Sequence, residues 1–404
     1  MAVGDGAELS GPGAPGGSWR APRAEIDLGA LRHNAALLAR ICAPAALGAV
    51  VKADGYGHGA TTVAGAALQG GAQWLAVATV AEGAALRDAG ITAPVLVLME
   101  PSSHAAPEVV GRGLVPAVYS RAALEALAAA SRVAGVVTDV HLKVDTGMHR
   151  GGAAPGDLPE LFEALARSPG LALGGLWTHF PVADGAGDDD RAFTEAQLAA
   201  LEAARETAAA AGLTPRLVHA ANSAGALAYP EARLDLVRCG IALYGVSPFP
   251  PSAPRPEVLA ATGADGLRPV LSWRAAVSSV RRVEAGARPS YGRLSPLEAP
   301  STVATVPVGY ADGVPRRYFE AGGVVLVGGR RRRLAGMVSM DQIVVDCGSD
   351  DVAVGDDVVL IGAQGTETLT VTQWAAALRT IEHEVLCGIG SRVPRVAVEG
   401  EVQS

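Results

Sequence analysis

One lysine in this chain stands where an amine becomes a reagent. Lys52 closes the apolar run LGAVVKAD (47–54) and leads directly into GYGHG. An ε-amine partly removed from water has a lowered pKa, which suits Schiff-base chemistry with a carbonyl cofactor. A structural ion pair would suit the same position. Gly55, Gly57 and Ala60 also fit G-x-G-x-x-G/A, a dinucleotide-binding pattern, with Glu82 loosely at the place of a ribose-binding acid. That pattern is weak in a chain with 50 glycines, and a lysine just ahead of the loop counts against it.

Other chemistry-bearing residues fall at the ends of later apolar runs: Lys143 with Asp145, His179, Asn222 with Ser223, and Arg238. Asn222 and Ser223 precede a short helical segment, and Gly240–Ile241 lies on the last run. A serine hydroxyl and free backbone N–H groups at a helix start can hold a phosphate dianion without a basic side chain. An N-cap serine and a glycine needed for close packing would look the same. Arg238, next to that position, would keep a cofactor's pyridine nitrogen unprotonated and so weaken the ring as an electron sink. Racemisation tolerates this better than transamination does. It also needs proton carriers on both faces of the α-carbon, for which Lys52 and Tyr291 (in RPSYGRLS) are candidates, although a lone tyrosine is commonly only packing.

Residues so far apart in sequence must be gathered by the elements between them. Strand-like runs begin at 47–54, 74–79, 93–100, 114–120, 138–147, 171–179, 216–223 and 236–245, and Ala- and Leu-rich helical patterns alternate with them. Eight such units predict an α/β chain with an N-terminal (β/α)8 TIM-type barrel, whose functional groups sit at the C-terminal strand ends. The run AEIDL (24–28) has no place in that count and is expected to pair with the C-terminal domain. After a Pro/Gly-rich passage near 250–266, short Val-rich runs with turn signals predict a mostly-β domain. The expected division is a disordered tail at 1–21, a barrel at 22–258 and a β domain at 259–404.

The 404 residues carry 33 basic and 41 acidic side chains, a net charge of -8 that argues against a nucleic-acid binder. No apolar stretch is long enough to span a bilayer. Four scattered cysteines without zinc spacing read as buried thiols in a reducing cytoplasm, and no metal is expected. The run Arg330–Arg333 reads as a solvated hairpin arm, and His58 as a structural loop histidine.

In order, VKADGYGHG, KVDTGMHRGG, LWTHF, HAANSAG, VRCGIALYG, VGYADGVPRR, SMDQ and GSRVPR resemble the bacterial alanine racemase family across roughly residues 22–398. The resemblance implies a pyridoxal 5'-phosphate enzyme, barrel plus β domain, interconverting L- and D-alanine by two-base proton transfer and supplying D-alanine for peptidoglycan. It implies Lys52 as the Schiff-base lysine and one base, and Tyr291 as the other. Tyr56, Asn222, Ser223, Gly240 and Ile241 would bind the phosphate end. Arg238 would face the ring nitrogen beside His179, and Arg150 would hold the phenolic oxygen and the substrate carboxylate. Lys143 resembles a carbamylated lysine that fixes this arginine. A homodimer is implied, with Tyr291, Tyr310, Met340 and Asp341 delivered from the second subunit. A broader or serine-directed racemase and a decarboxylase are the alternatives. Met337, Ser391, His383 and Pro181–Val182 depart from the commoner family pattern.

Overall fold

The structure, a computed structural model, describes residues 22–250 and 266–400; the expected tail at 1–21 and most of the Pro/Gly-rich passage lie outside the described residues. The chain divides into two compact units. One holds the described residues of Ala24–Ser272, Thr370–Gly390 and 395–400; the other holds Trp273–Leu369 and Ser391–Pro394.

The first unit is built on eight parallel strands: β2 (Ala46–Val50), β3 (Trp74–Val77), β4 (Val95–Val97), β5 (Val115–Val118), β6 (Thr138–Lys143), β7 (Leu171–Trp177), β8 (Leu217–His219) and β9 (Leu236–Cys239). Their order is β8-β7-β6-β5-β4-β3-β2-β9. Backbone bonds from Asp235 N to Val218 O and from Arg238 N to Ala221 O draw β9 to β8 and complete the ring. This is the expected barrel. Every residue of β4 and of β9 is buried, as parallel strands covered on both faces must be.

The strands are shorter than the apolar runs that announce them. The run 47–54 leaves the sheet after Val50, and 236–245 breaks at Gly240 into β9 and a 3-10 turn over Ile241–Tyr244. Val51 and Leu243 are nonetheless fully buried, because the loops at this end pack on the barrel core. The outer helices carry ordinary start and stop signals. In Arg121–Ala134, for instance, Ser120 Oγ accepts from Ala123 N, Leu124 and Leu127 turn inward, and Gly135 ends the helix in a left-handed conformation. The strand β1 (Arg23–Asp27) stands outside the eight and pairs in parallel with β18 (Arg395–Val398), near the C-terminus.

The second unit is mostly β, as expected. Strands β11 (Ser279–Val283), β12 (Ser301–Val306) and β15 (Ile343–Asp346) form an antiparallel sheet over a core including Leu297, Val303 and Ala335. Strands β13 (Val324–Val327) and β14 (Arg330–Arg333) make the expected hairpin, turning through Gly328 and Gly329 at φ 62° and 69°. The arginines do not float free: Arg331 pairs with Glu367 at 2.8 Å, and Arg330 and Arg332 share Asp350. Among the described residues no helix is long and apolar enough to cross a membrane. Of the four free thiols, Cys42, Cys239 and Cys347 are buried, whereas Cys387 is exposed, contrary to expectation, at the end of a short helix.

Candidate active site

Lys52 is half-buried immediately past β2, and burial is the main cause that lowers its pKa, with the charge of Arg150 second. The four residues after it, Ala53 to Tyr56, all adopt left-handed conformations with φ between 51° and 62°. Consecutive left-handed residues cost roughly 1–2 kcal/mol each when they carry a Cβ, so the surroundings must hold this turn. Asp54 Oδ1 accepts from Ala60 N at 2.8 Å, Glu82 Oε1 from Ala53 N at 2.7 Å, and Gly57 O from Arg395 Nε at 2.8 Å. A Cβ on Gly57 would lie 2.5 Å from Leu386 O, so only glycine fits there.

The turn delivers Tyr56 to a cradle. Its ring packs on Tyr244 at 4.8 Å, and a Cβ on Gly240 would lie 2.3 Å from its hydroxyl. Ser223 Oγ accepts from Gly240 N at 2.9 Å and from Ala242 N at 3.4 Å. Asn222 caps the helix Ser223–Ala228 by accepting from Gly225 N, while its amide donates to Phe180 O. Ile241 opens the following 3-10 turn, where the first N–H groups lack intrahelical partners. Hydroxyls and amides converge here without a carboxylate among them, a donor set that fits a phosphate dianion.

Two residues before Gly240, on β9, Arg238 is buried, its pKa drawn down to about 9 by desolvation. Its guanidinium lies 4.6 Å from the Trp177 ring centroid and bonds His219 Nδ1 (2.7 Å), Thr178 O and Ala220 O (both 2.8 Å) and His179 Nδ1 (3.2 Å). Burial first, then the Arg238 charge, holds His179 well below the usual histidine range, so its ring is neutral. Lys143 is buried with Nζ 5.0 Å from the Trp177 centroid, and burial, Arg150 and Arg238 together lower it to about 8. Arg150 is exposed, beyond a loop tied by Asp145 Oδ1 to Gly147 N and His149 N.

The first unit thus gathers Lys52, Tyr56, Lys143, Arg150, His179, Asn222, Ser223, Arg238, Gly240 and Ile241 at one end of the barrel. The remaining sequence candidates lie in the second unit. Tyr291, 68% exposed, follows Ser290, whose hydroxyl donates to Met337 O at 2.5 Å. Tyr310 N bonds Ser339 O, which brings Tyr310 beside Met340, and Asp341 accepts from Arg392 at 2.8 Å.

Sequence reasoning did not single out His219 and His141, joined Nε2 to Nδ1 at 2.9 Å behind Arg238. His141 lies on a strand buried at all but one position and His219 on a strand of three residues, so alternation carries no signal at either. Glu82, which the glycine pattern sets loosely at a ribose-binding position, spends its carboxylate on backbone amides.

Residues 26–248 match the family model "Alanine racemase, N-terminal domain" and residues 270–397 match "Alanine racemase, C-terminal domain". The alanine racemase of Symbiobacterium thermophilum is 46% identical over 373 residues, covering 92% of this chain and 96% of that protein. The solved alanine racemase of Streptomyces coelicolor superposes with a TM-score of 0.87 at 41% identity, covering 94% of this chain and 98% of that one. That of Bacillus anthracis, solved with bound L-Ala-P, superposes at 0.86 and 32% identity, covering 95% and 97%. With both halves matched in order and the barrel-end residues gathered as described, the chain belongs to the alanine racemase family.

Proposed function

We propose that the barrel mouth racemises alanine with pyridoxal 5'-phosphate, using Lys52 and Tyr291 as its two proton carriers. The reaction, interconversion of L- and D-alanine, is that of the relatives the chain matches nearly end to end. The observation that carries the residue-level reading is the placement of Lys52: a half-buried amine of lowered pKa, on the same barrel end as the Tyr56–Ser223–Gly240 cradle. When bound, the cofactor supplies an electron sink that acidifies the α-proton of the amino acid.

The chain's own groups divide the remaining work. Ser223, Tyr56 and the amides at Gly240 and Ile241, with Asn222 capping the helix, would hold the phosphate. Arg238 has only donors to offer, so it favours an unprotonated ring nitrogen; neutral His179 stands next to it. Arg150 would take the substrate carboxylate, and Lys143, as a carbamate, would fix that arginine. Lys52 carries the proton on one face of the α-carbon, and Tyr291 carries it on the other. Tyr291, Tyr310, Met340 and Asp341 would come from a second copy of the chain, making a homodimer with shared active sites that admit small side chains. The D-alanine would serve peptidoglycan synthesis in the cytoplasm.

The test is chiral chromatography of L-alanine and L-serine incubated in deuterated water with wild type, Lys52→Ala and Tyr291→Phe. D-Alanine carrying α-deuterium, reduced by about 10²–10⁴-fold in each variant, is expected. Full activity in either variant would remove that residue from the chemistry.

A further inference from the structure

Glu82 is the third residue of the helix Val80–Asp88, where it completes a capping box with Thr79: Thr79 Oγ1 accepts from Glu82 N, and Glu82 Oε2 accepts from Thr79 N at 3.0 Å. A capping box uses one carboxylate oxygen. Here Oε2 also accepts from Ala78 N at 2.7 Å, and Oε1 reaches 29 residues back to Ala53 N at 2.7 Å. Ala53 directly follows Lys52 and is the first residue of the left-handed turn. The carboxylate therefore ties the strained turn after one barrel strand to the helix start after the next, by charge-assisted bonds. Its charge also acts on Lys52 in the opposite sense to that of Arg150.

We propose that Glu82 is the positioning residue for Lys52, its carboxylate clamping the backbone at Ala53 and so aiming the ε-amine. The proposal rests on the reading of Lys52 as the reacting lysine. Without the clamp, Ala53 N–H loses its acceptor and the left-handed turn loses the bond nearest the lysine. The ε-amine then samples positions away from the reacting carbon, and a misplacement of this kind lowers turnover more than substrate binding. Removal of the negative charge also leaves Arg150 less opposed, which displaces titration of Lys52 to lower pH.

Two variants separate clamp from cap. Glu82→Gln keeps a capping-box residue for the helix, since its amide oxygen can face Ala78 and Thr79, but it presents an NH₂ to Ala53 N–H. Thr79→Ala removes the reciprocal cap and leaves the bond to Ala53 intact. Each full-length, cofactor-loaded protein would be assayed for kcat and KM from pH 6 to 10. Each would also be reduced with borohydride and peptide-mapped to find the lysine bearing the pyridoxyl group. In Glu82→Gln, kcat is expected to fall by about tenfold with KM within about twofold, and the acid limb of the pH profile to move to lower pH. Thr79→Ala is expected to keep the wild-type profile while melting at lower temperature. Wild-type kcat and pH profile in Glu82→Gln would overturn the proposal, as would an equal loss in both variants, which would mean that the helix start alone matters. Reduction trapping a lysine other than Lys52 in the wild type would instead remove the reading on which the proposal stands.

Discussion

Arg238 Nη1 donates to His219 Nδ1 at 2.7 Å, and this single bond dictates the protonation of the rings behind it. An arginine has no acceptor, so His219 must offer a lone pair at Nδ1 and carry its proton on Nε2. That proton is donated to His141 Nδ1 at 2.9 Å, which places the His141 proton on Nε2 as well. On the other side His179 also accepts from Arg238 through Nδ1. The relay runs one way, and it holds a buried cation with neutral acceptors and the Trp177 face. His219→Phe would keep the stacking on Trp177 but leave one buried guanidinium N–H without an acceptor. A loss of about 1–3 kcal/mol in urea denaturation is expected, together with a lower kcat. Wild-type stability in that variant would mean that the relay does not hold the arginine.

The carbamate proposed for Lys143 would form from its amine and carbon dioxide. Carbamate formation needs the neutral amine, and a pKa of about 8 leaves roughly a tenth of it neutral at pH 7, far more than an ordinary lysine. The charges of Arg150 and Arg238 that disfavour its ammonium would favour a carbamate anion. Labelled bicarbonate should give a carbamate carbon resonance in the wild type that Lys143→Ala lacks, and bicarbonate-depleted protein should lose activity that bicarbonate restores. A wild-type spectrum identical to that of Lys143→Ala would refute the modification.

A side chain at Gly240 would collide with Tyr56. Gly240→Ala would place Cβ 2.3 Å from Tyr56 Oη and 3.0 Å from Cζ. Equilibrium dialysis should show pyridoxal phosphate affinity lowered at least about tenfold, a change of about 1.4 kcal/mol. Adding Tyr56→Phe removes the nearest clashing atom and should recover part of that loss. Additive losses in the double variant would show that the two residues are not in contact in the cofactor-loaded protein.

Acid should unfold the barrel early. Burial lowers His58 to about 4 and His141 to about 3, so both are neutral in the folded protein but titrate near 6.5 once unfolded. The unfolded state binds more protons between those values, so the stability from these neutral rings is complete above about pH 6.5 and lost as pH falls toward 4 for His58 and toward 3 for His141. At pH 5 each costs about 2 kcal/mol relative to neutral pH. Melting followed from pH 7 to 5 should show a drop that shrinks in His58→Phe, which keeps a ring against Tyr244 and cannot titrate. An unchanged slope would acquit His58.

The sequence by itself determined the barrel and most of its working end. Lys52, Lys143, His179 and Ser223 lie toward the ends of apolar runs and Arg238 lies on the last one, and a chain of alternating strands and helices must bring such groups to one face. The second unit's β character was equally legible from short Val-rich runs and paired glycines such as Gly328–Gly329.

Tertiary structure alone decided the details that tune those groups. His141 and His219 stand 78 residues apart, and only the closing of the strand ring sets them nose to tail behind Arg238. The left-handed turn after Lys52 includes Ala53, Asp54 and Tyr56, residues with no intrinsic preference strong enough to announce it. It exists because Glu82, Ala60 and Arg395 supply bonds from elsewhere in the chain. Local pattern reports which side a residue faces; the desolvation of a lysine and the tautomer of a histidine depend on neighbours through space, which no short window of sequence contains.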